Sequence, residues 1–348
     1  MQSVTNQTSA IPMGPFLNSL KPWVSVICTA YNHADYVAEA LQSVADQTHP
    51  NVELIVIDNA STDHTTDQIR GFCAKNPAVQ FIQNPANAGL CRAFNQGLAL
   101  AKGQYVIDLS ADDVLLPGRL ARQTDLFERL PARYGVLFSN AAHIDDAGQF
   151  IGTHFPVNEQ GKTTVTVPTG NVFAEVLRRY FICTPTMMIR RTVLDDLGGY
   201  DETLAYEDFD FWVRSARRYH YAYQDEVLTH KRRLPDSLSA QVVKPDNRLL
   251  ESTLRVCQKA LALCQTEAEQ QALAERLRQF IRKAFYAEQF DLALRFGALL
   301  HRIENPDMLT TSVLWLSRRR LRVNRLYRKI LRWRHNPKPG SVAGEVAA

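Results

Sequence analysis

Two adjacent carboxylates, Asp112 and Asp113, follow the apolar run Tyr105 to Leu109 and precede Val114-Leu115-Leu116-Pro117. Like charges at the end of a buried strand repel each other unless a cation lies close by. A hard divalent ion, Mg²⁺ or Mn²⁺, meets that need through one or two carboxylates plus substrate phosphates. Asp-Asp is also a common solvated turn, and the apolar strand before it is what favours a site. A further carboxylate, Asp58, ends the run Val52 to Ile57, where it can accept hydrogen bonds from a nucleobase N–H or a ribose hydroxyl. Asp63 suits the first turn of the next helix, a structural role. The third cluster is Glu207-Asp208 in Tyr206-Glu207-Asp208-Phe209-Asp210-Phe211-Trp212. Aromatic neighbours shield a carboxylate from water and raise its pKa, as a general base requires. Acids in a first helical turn are also favoured by the helix dipole, so cap and base both stand on the residues alone.

These residues need elements to position them. Trp23 to Thr29 and Val52 to Ile57 are dense in β-branched and apolar residues and predict buried strands, with short strands at Val79 to Ile82 and Tyr105 to Leu109. Helices are predicted between them at about Tyr36 to Gln47, from Asp63, and at Gly89 to Ala101, followed by Leu116 to Leu130. The β-α alternation with short loops argues for a parallel, doubly wound sheet, whose ligands sit at the carboxyl ends of the strands. Three strands deliver polar clusters there: Thr29-Ala30-Tyr31-Asn32, Asp58-Asn59-Ala60-Ser61, and Asp112-Asp113. Beyond these, Tyr134 to Ser139 and Pro185 to Arg190 read as strands, and Tyr221 to Leu228 as an edge strand. The aromatic-rich segment Glu207 to Arg218 reads as a helix. From about Arg248 the composition turns helical.

In this order the segments resemble family 2 glycosyltransferases with the GT-A fold. The features that carry the resemblance are Thr29-Ala30-Tyr31-Asn32, Asp58-Asn59-Ala60-Ser61-Thr62-Asp63, Asn87-Ala88-Gly89 with Ala93-Phe94-Asn95, Ala101-Lys102-Gly103-Gln104-Tyr105 with Ser110-Ala111-Asp112-Asp113, and Gly198 to Asp201 with Glu207-Asp208. The resemblance covers about Pro22 to Ser239. It implies an α/β GT-A domain and an inverting transfer of a sugar from a nucleotide diphosphate to a hydroxyl. In that picture Thr29, Ala30, Tyr31, Asn32, Asp58, Asn59 and Gly89 form the nucleotide-sugar site. Asp112 contacts ribose or metal, Asp113 holds a divalent Mn or Mg ion, and Asp208 is the base with Glu207 beside it. Arg92 fits a phosphate contact and equally a solvated surface. The implied donor is a UDP-sugar, with a dTDP-sugar as the alternative. The acceptor is a growing surface glycan or a lipid-linked sugar. Departures from the family pattern are Ser110 for its first acid, Asn59 and Ala60 for Asp-Gly, and Leu234 near an expected His, which makes His230 a candidate metal or phosphate contact. The rival readings are a non-catalytic sugar-nucleotide or glycan binding module and a nucleotidyltransferase. A lysine-bearing phosphate loop is missing after the first strand, which counts against the second. A missing G-x-G-x-x-G disfavours a dehydrogenase.

The remaining features bound the setting. The chain has 348 residues, 45% hydrophobic and 22% charged, with a net charge of +4, so a sizeable core is expected and the overall charge selects no partner. Six cysteines form no C-x-x-C pair and read as reduced thiols of a cytoplasmic protein. No apolar run is long enough to span a bilayer. Residues 1–20 are expected to be a polar lead-in, residues 21–240 the catalytic domain, and residues 241–348 a helical extension. Its tail, residues 316–334, interleaves Arg318, Arg319, Arg320, Arg322, Arg325, Arg328, Arg332 and Arg334 with apolar residues. Such a segment suits peripheral contact with the anionic inner face of a membrane, or packing on the domain with a solvated basic face. Nothing else points to nucleic acid.

Overall fold

A computed structural model describes residues 21–234, 245, 247–324 and 327. The strands are β1 (Val24–Ala30), β2 (Val52–Asp58), β3 (Gln80–Gln83), β4 (Tyr105–Ser110), β5 (Val114–Leu115), β6 (Tyr134–Ile144), β7 (Phe150–Thr153), β8 (Met188–Arg190) and β9 (His220–Arg232). They form one sheet in the order β3-β2-β1-β4-β8-β6-β9-β5, with β7 paired to β6. All seven residues of β1 are buried, as in a strand covered on both faces.

The parallel sheet expected from the β-α alternation is continuous over β3-β2-β1-β4 and does not extend across the whole sheet. At β4 the direction reverses: β8 runs antiparallel to both β4 and β6. The predicted edge strand is the interior β9, which pairs parallel with β6 and antiparallel with the two-residue β5. Polar residues of this interior strand meet buried polar groups. Thr229, for example, accepts a hydrogen bond from the buried Arg119 guanidinium at 2.8 Å.

Helices Val37–Ala45, Thr65–Lys75, Leu90–Leu100, Arg119–Glu128 and Asp208–Ala216 flank the sheet. The second begins later than Asp63, because Asp63 accepts bonds from the Thr65 and Ala34 backbone N–H groups at 3.0 and 3.1 Å and so closes a turn ahead of the helix.

The extension is helical where described: Leu249–Leu263, Glu267–Tyr286, Phe290–Leu300 and Met308–Arg318. A capping box at Thr266 and Glu269 starts the longest of these helices. The extension shares its core with the sheet domain. Leu250, Leu254, Cys257, Leu273, Phe280 and Phe296 belong to one continuous buried cluster with Phe209, Phe211 and Trp212. Ion pairs tie the seam: Lys259 reaches Asp201 at 2.5 Å and the buried Asp210 at 2.6 Å, and Arg217 meets Glu269 at 2.8 Å. All six cysteines are free thiols, four of them buried.

Residues 1–20 lie outside the described residues, as do residues 325, 326 and 328–334 of the basic tail. What is described of the tail serves both readings. Val313 and Leu314 pack inward, while Met308, Leu309 and Trp315 are exposed beside the exposed Arg318, Arg319, Arg320 and Arg322. No helix among the described residues is long and apolar enough to cross a membrane.

Candidate active site

The carboxyl ends of β1, β2 and β4 lie side by side, with Thr29 opposite Ile57 and Ser110, and Ala30 opposite Asp58. The loop after β1 is locked to the loop after β2. Asn32 adopts a left-handed φ of 57°, and its side-chain oxygen accepts from the Thr62 N–H at 2.8 Å. Its own N–H donates to the Ser61 hydroxyl at 3.0 Å. Asp58 is fully buried; its carboxylate takes the Ser61 N–H at 3.0 Å and the Thr66 hydroxyl. It therefore orders the loop from beneath. Asn59 is buried and links onward, donating to the Asn87 side chain at 3.0 Å and accepting from the Ala88 N–H at 2.9 Å. Gly89, at φ 87°, opens the helix Leu90–Leu100. In this group Tyr31, 42% exposed, Asn32 and Gly89 reach the surface, while Thr29 and Ala30 are buried. Arg92 lies on the surface, paired with Glu202 at 3.3 Å, which matches the solvated alternative.

At the end of β4, the Ser110 hydroxyl donates to Asp112. Asp112 is partly exposed and Asp113 is buried. The Arg232 N–H of β9 donates to the Asp113 carboxylate at 2.9 Å, and the Arg232 side chain clasps the Asp112 carbonyl at 3.1 Å. Burial first, and the Asp112 charge second, push Asp113 up to about 8. Such a carboxyl becomes a carboxylate at neutral pH when a cation arrives. A cage of three or more protein ligands does not form among the described residues. An ion that takes two protein carboxylates and completes its shell with diphosphate oxygens and water does fit Asp112 and Asp113. His230 lies on β9 opposite Val114, the residue after Asp113; burial lowers its pKa, as does the Arg232 charge, while the Glu39 charge raises it.

The second acid group gathers around the start of helix Asp208–Ala216. Burial raises Glu207 well above the carboxylate range, and the Asp208 and Asp108 charges raise it further. Burial raises Asp208 as well. Against that rise act the Phe209 N–H and the cations Lys231 and Arg276. Both adjacent acids are thus raised by burial and opposed by Lys231; two acid neighbours add to the rise at Glu207, and a second cation, Arg276, opposes it at Asp208.

Asp108 and Lys231 belong to this site and were not anticipated. Asp108 is a buried carboxyl in the middle of β4, which accepts from the Tyr200 hydroxyl at 3.0 Å. Burial raises its pKa, as does the Asp208 charge. The available signal was a charge inside the apolar run Val106-Ile107-Asp108-Leu109, where a solvated face is excluded. Burial alone would lower Lys231, but its surroundings, among them Cys183, Asp113 and Asp208, hold it above its ordinary value. Its charge acts on both acid groups, so it bridges them electrostatically.

Tyr200 explains the spacing of two distant motifs. Asn95 donates to the Tyr200 carbonyl at 2.8 Å and accepts from its N–H at 2.9 Å, and the rings of Phe94 and Tyr200 stack at 4.2 Å. Ala93-Phe94-Asn95 is the grip for Gly198 to Asp201, and that stretch leads into Glu207-Asp208.

Residues 25–198 match the family model described as Glycosyl transferase family 2. The chain is a family 2 glycosyltransferase. Curated relatives agree. This glycosyltransferase is 28% identical over 219 residues to an uncharacterized glycosyltransferase of Methanocaldococcus jannaschii, covering 62% of this chain and 72% of the relative. It is 28% identical over 263 residues to an uncharacterized glycosyltransferase of Nostoc, covering 74% of each. Among solved structures it is similar to S. aureus TarS in complex with UDP, with a TM-score of 0.61 at 19% identity over 88% of this chain and 91% of that one. It is also similar to the mannosyltransferase PcManGT of Pyrobaculum calidifontis in complex with GDP-Man and Mn²⁺, with a TM-score of 0.54 at 17% identity over 91% and 84%. These likenesses establish the fold, a GT-A α/β domain with C-terminal helices.

Proposed function

We propose that this glycosyltransferase moves a sugar from a nucleotide diphosphate to an acceptor hydroxyl with inversion, and that Asp208 is the general base. The observation that carries the reading is the split between Glu207 and Asp208. A base must be ionised: a backbone N–H and Lys231 oppose protonation at both buried acids, but Asp208 has Arg276 as a second opposing cation, whereas Glu207 carries the added push of the Asp208 and Asp108 charges. Asp208 takes the proton of the acceptor hydroxyl as that oxygen attacks the anomeric carbon. Attack from the face opposite the leaving diphosphate inverts the configuration. Glu207, neutral, keeps a hydrogen to donate and adds no charge beside the oxocarbenium-like centre.

Asp112 and Asp113 would hold the Mn²⁺ or Mg²⁺ ion, which when bound supplies charge neutralisation at the leaving diphosphate. His230, on β9 opposite Val114, stays a candidate further contact to that ion or to phosphate. Lys231 contributes a fixed positive charge between the two acid groups. Tyr31 and Thr29 face the nucleoside, on a loop that Asn32, Asp58 and Asn59 hold in shape. Uridine diphosphate is the proposed carrier, in keeping with the UDP named for TarS; thymidine diphosphate is the next donor to try. The proposed acceptor is a surface glycan or lipid-linked sugar. It would be met at the inner face of a membrane, where the exposed Trp315 and the arginines after it suit anionic lipid.

The test is consumption of a panel of nucleotide sugars with Mn²⁺ or Mg²⁺, for the wild type and Asp208→Asn. One donor should be consumed. Asp208→Asn should bind it equally but turn it over roughly a hundredfold or more slowly, the scale of a general base. Binding of several donors without turnover, even with acceptor extracts, would make the protein a binding module.

A further inference from the structure

Arg276 lies on the extension helix Glu267–Tyr286, far in sequence from every motif above, yet it is only 3% exposed. Its guanidinium lies 4.0 Å from the Tyr180 ring centroid, 5.6 Å from that of Phe209 and 5.4 Å from that of Phe280. Nε and Nη2 are buried without an acceptor, and Nη1 has only a long contact to Gln279 at 3.5 Å. A buried charge left without a counter-charge costs several kcal/mol, so a chain keeps one where an opposite charge repays it. Phe209, one wall of this cage, is the residue after Asp208. Tyr180 and Tyr206 are the phenols at this seam, and Lys283 is the neighbouring cation. The other charged groups around Asp208 are Glu207 on its own segment, Asp108 on β4 and Lys231 on β9. Among the groups whose charge acts on Arg276 (Tyr180, Cys257, Tyr206 and Asp208), Asp208 is the one carboxylate, and its neighbour Phe209 is a wall of the cage.

We propose that Arg276 is a positioning residue which holds the negative charge on Asp208, so that the helical extension completes the active site. The aromatic cage excludes water from the guanidinium and thereby strengthens its field at the carboxylate. Lys231 supplies the corresponding charge from the sheet, and the extension supplies the half that the sheet domain lacks. The inference rests on the reading of Asp208 as the base for its catalytic meaning, but not for its electrostatics, and the experiment separates the two.

The carboxyl ¹³C resonance of Asp208, identified by its loss in Asp208→Asn, is titrated in the wild type, Arg276→Met and Arg276→Lys. Methionine fills the apolar cage without charge, a change that often leaves stability equal or higher. The midpoint should rise by about one pH unit in Arg276→Met, since the opposing cation is gone, and return most of the way in Arg276→Lys. Equal midpoints in all three proteins would reduce Arg276 to packing. If Arg276→Met fails to fold, Arg276→Gln with Arg276→Lys gives the same comparison. The pH profile of transfer is then read on the same variants. A rate limb that moves with the carboxyl makes Arg276 a positioning residue for catalysis. A carboxyl that moves while the limb stays keeps the electrostatic assignment and overturns Asp208 as the base.

Discussion

The neighbouring acids Glu207 and Asp208 differ by what opposes burial at each. For Asp208 it is the Phe209 N–H, Lys231 and Arg276; for Glu207 it is a backbone N–H and Lys231, while the two nearest acids add to the rise. Asp208 therefore titrates above its ordinary 3.8, and as the proposed base it must be deprotonated to act. Activity should climb with pH through an acid limb displaced upward from the usual carboxylate range. Burial and two acid neighbours raise Glu207 well above the carboxylate range, so on the proposed reading Glu207→Gln replaces a neutral donor by a neutral donor. Its kcat should fall less than about tenfold, against the hundredfold or more of Asp208→Asn. Steady-state rates of the two variants decide this, and equal losses would mean that Glu207 works ionised.

At the scale of elements, the loops carry the site and their backbone sets what they tolerate. Gly199 lies at φ 74°, and a Cβ there would come 2.5 Å from the Asn95 side-chain oxygen that holds Tyr200. Gly199→Ala adds left-handed strain and a clash with that grip. It should cost on the order of 2–3 kcal/mol in a denaturant melt, and a loss within about 0.5 kcal/mol would show the Asn95–Tyr200 link to be soft. β1, β2 and β4 were legible in the sequence because β-branched runs ending in polar clusters have few other uses. β9 was misplaced because its alternation of apolar and polar residues mimics an edge. Its polar residues pair instead with Asp113 and Arg119, contacts made across more than a hundred residues of chain. For the same reason Lys231 and Arg276 could not be assigned to the site from local pattern: each is brought there by topology. Asp108 was legible in principle, as a charge within a buried strand. Asp58 was read as a ligand contact because its type and place allow it, while its bonds to Ser61 and Thr66 appear only once the loop is folded.

For the whole molecule, the extension and the sheet domain are one cooperative unit. Phe280, Phe296, Leu273 and Leu277 are buried in the same cluster as Phe209 and Trp212, each contributing about 1.5–3 kcal/mol by burial against a total stability of about 5–15 kcal/mol. A chain ending at residue 240 should therefore lose its near-ultraviolet circular dichroism and cooperative melt, and a sharp melt from that fragment would make the extension an independent appendage. The whole account converges on one event, attack by an oxygen that Asp208 has activated on the face opposite the diphosphate. The most direct measurement is ¹H NMR of the sugar released from the consumed donor in deuterated water, taken before mutarotation. The account predicts an anomeric configuration opposite to that of the donor, formed by the wild type and lost in Asp208→Asn. A sugar released with the donor's configuration would contradict it.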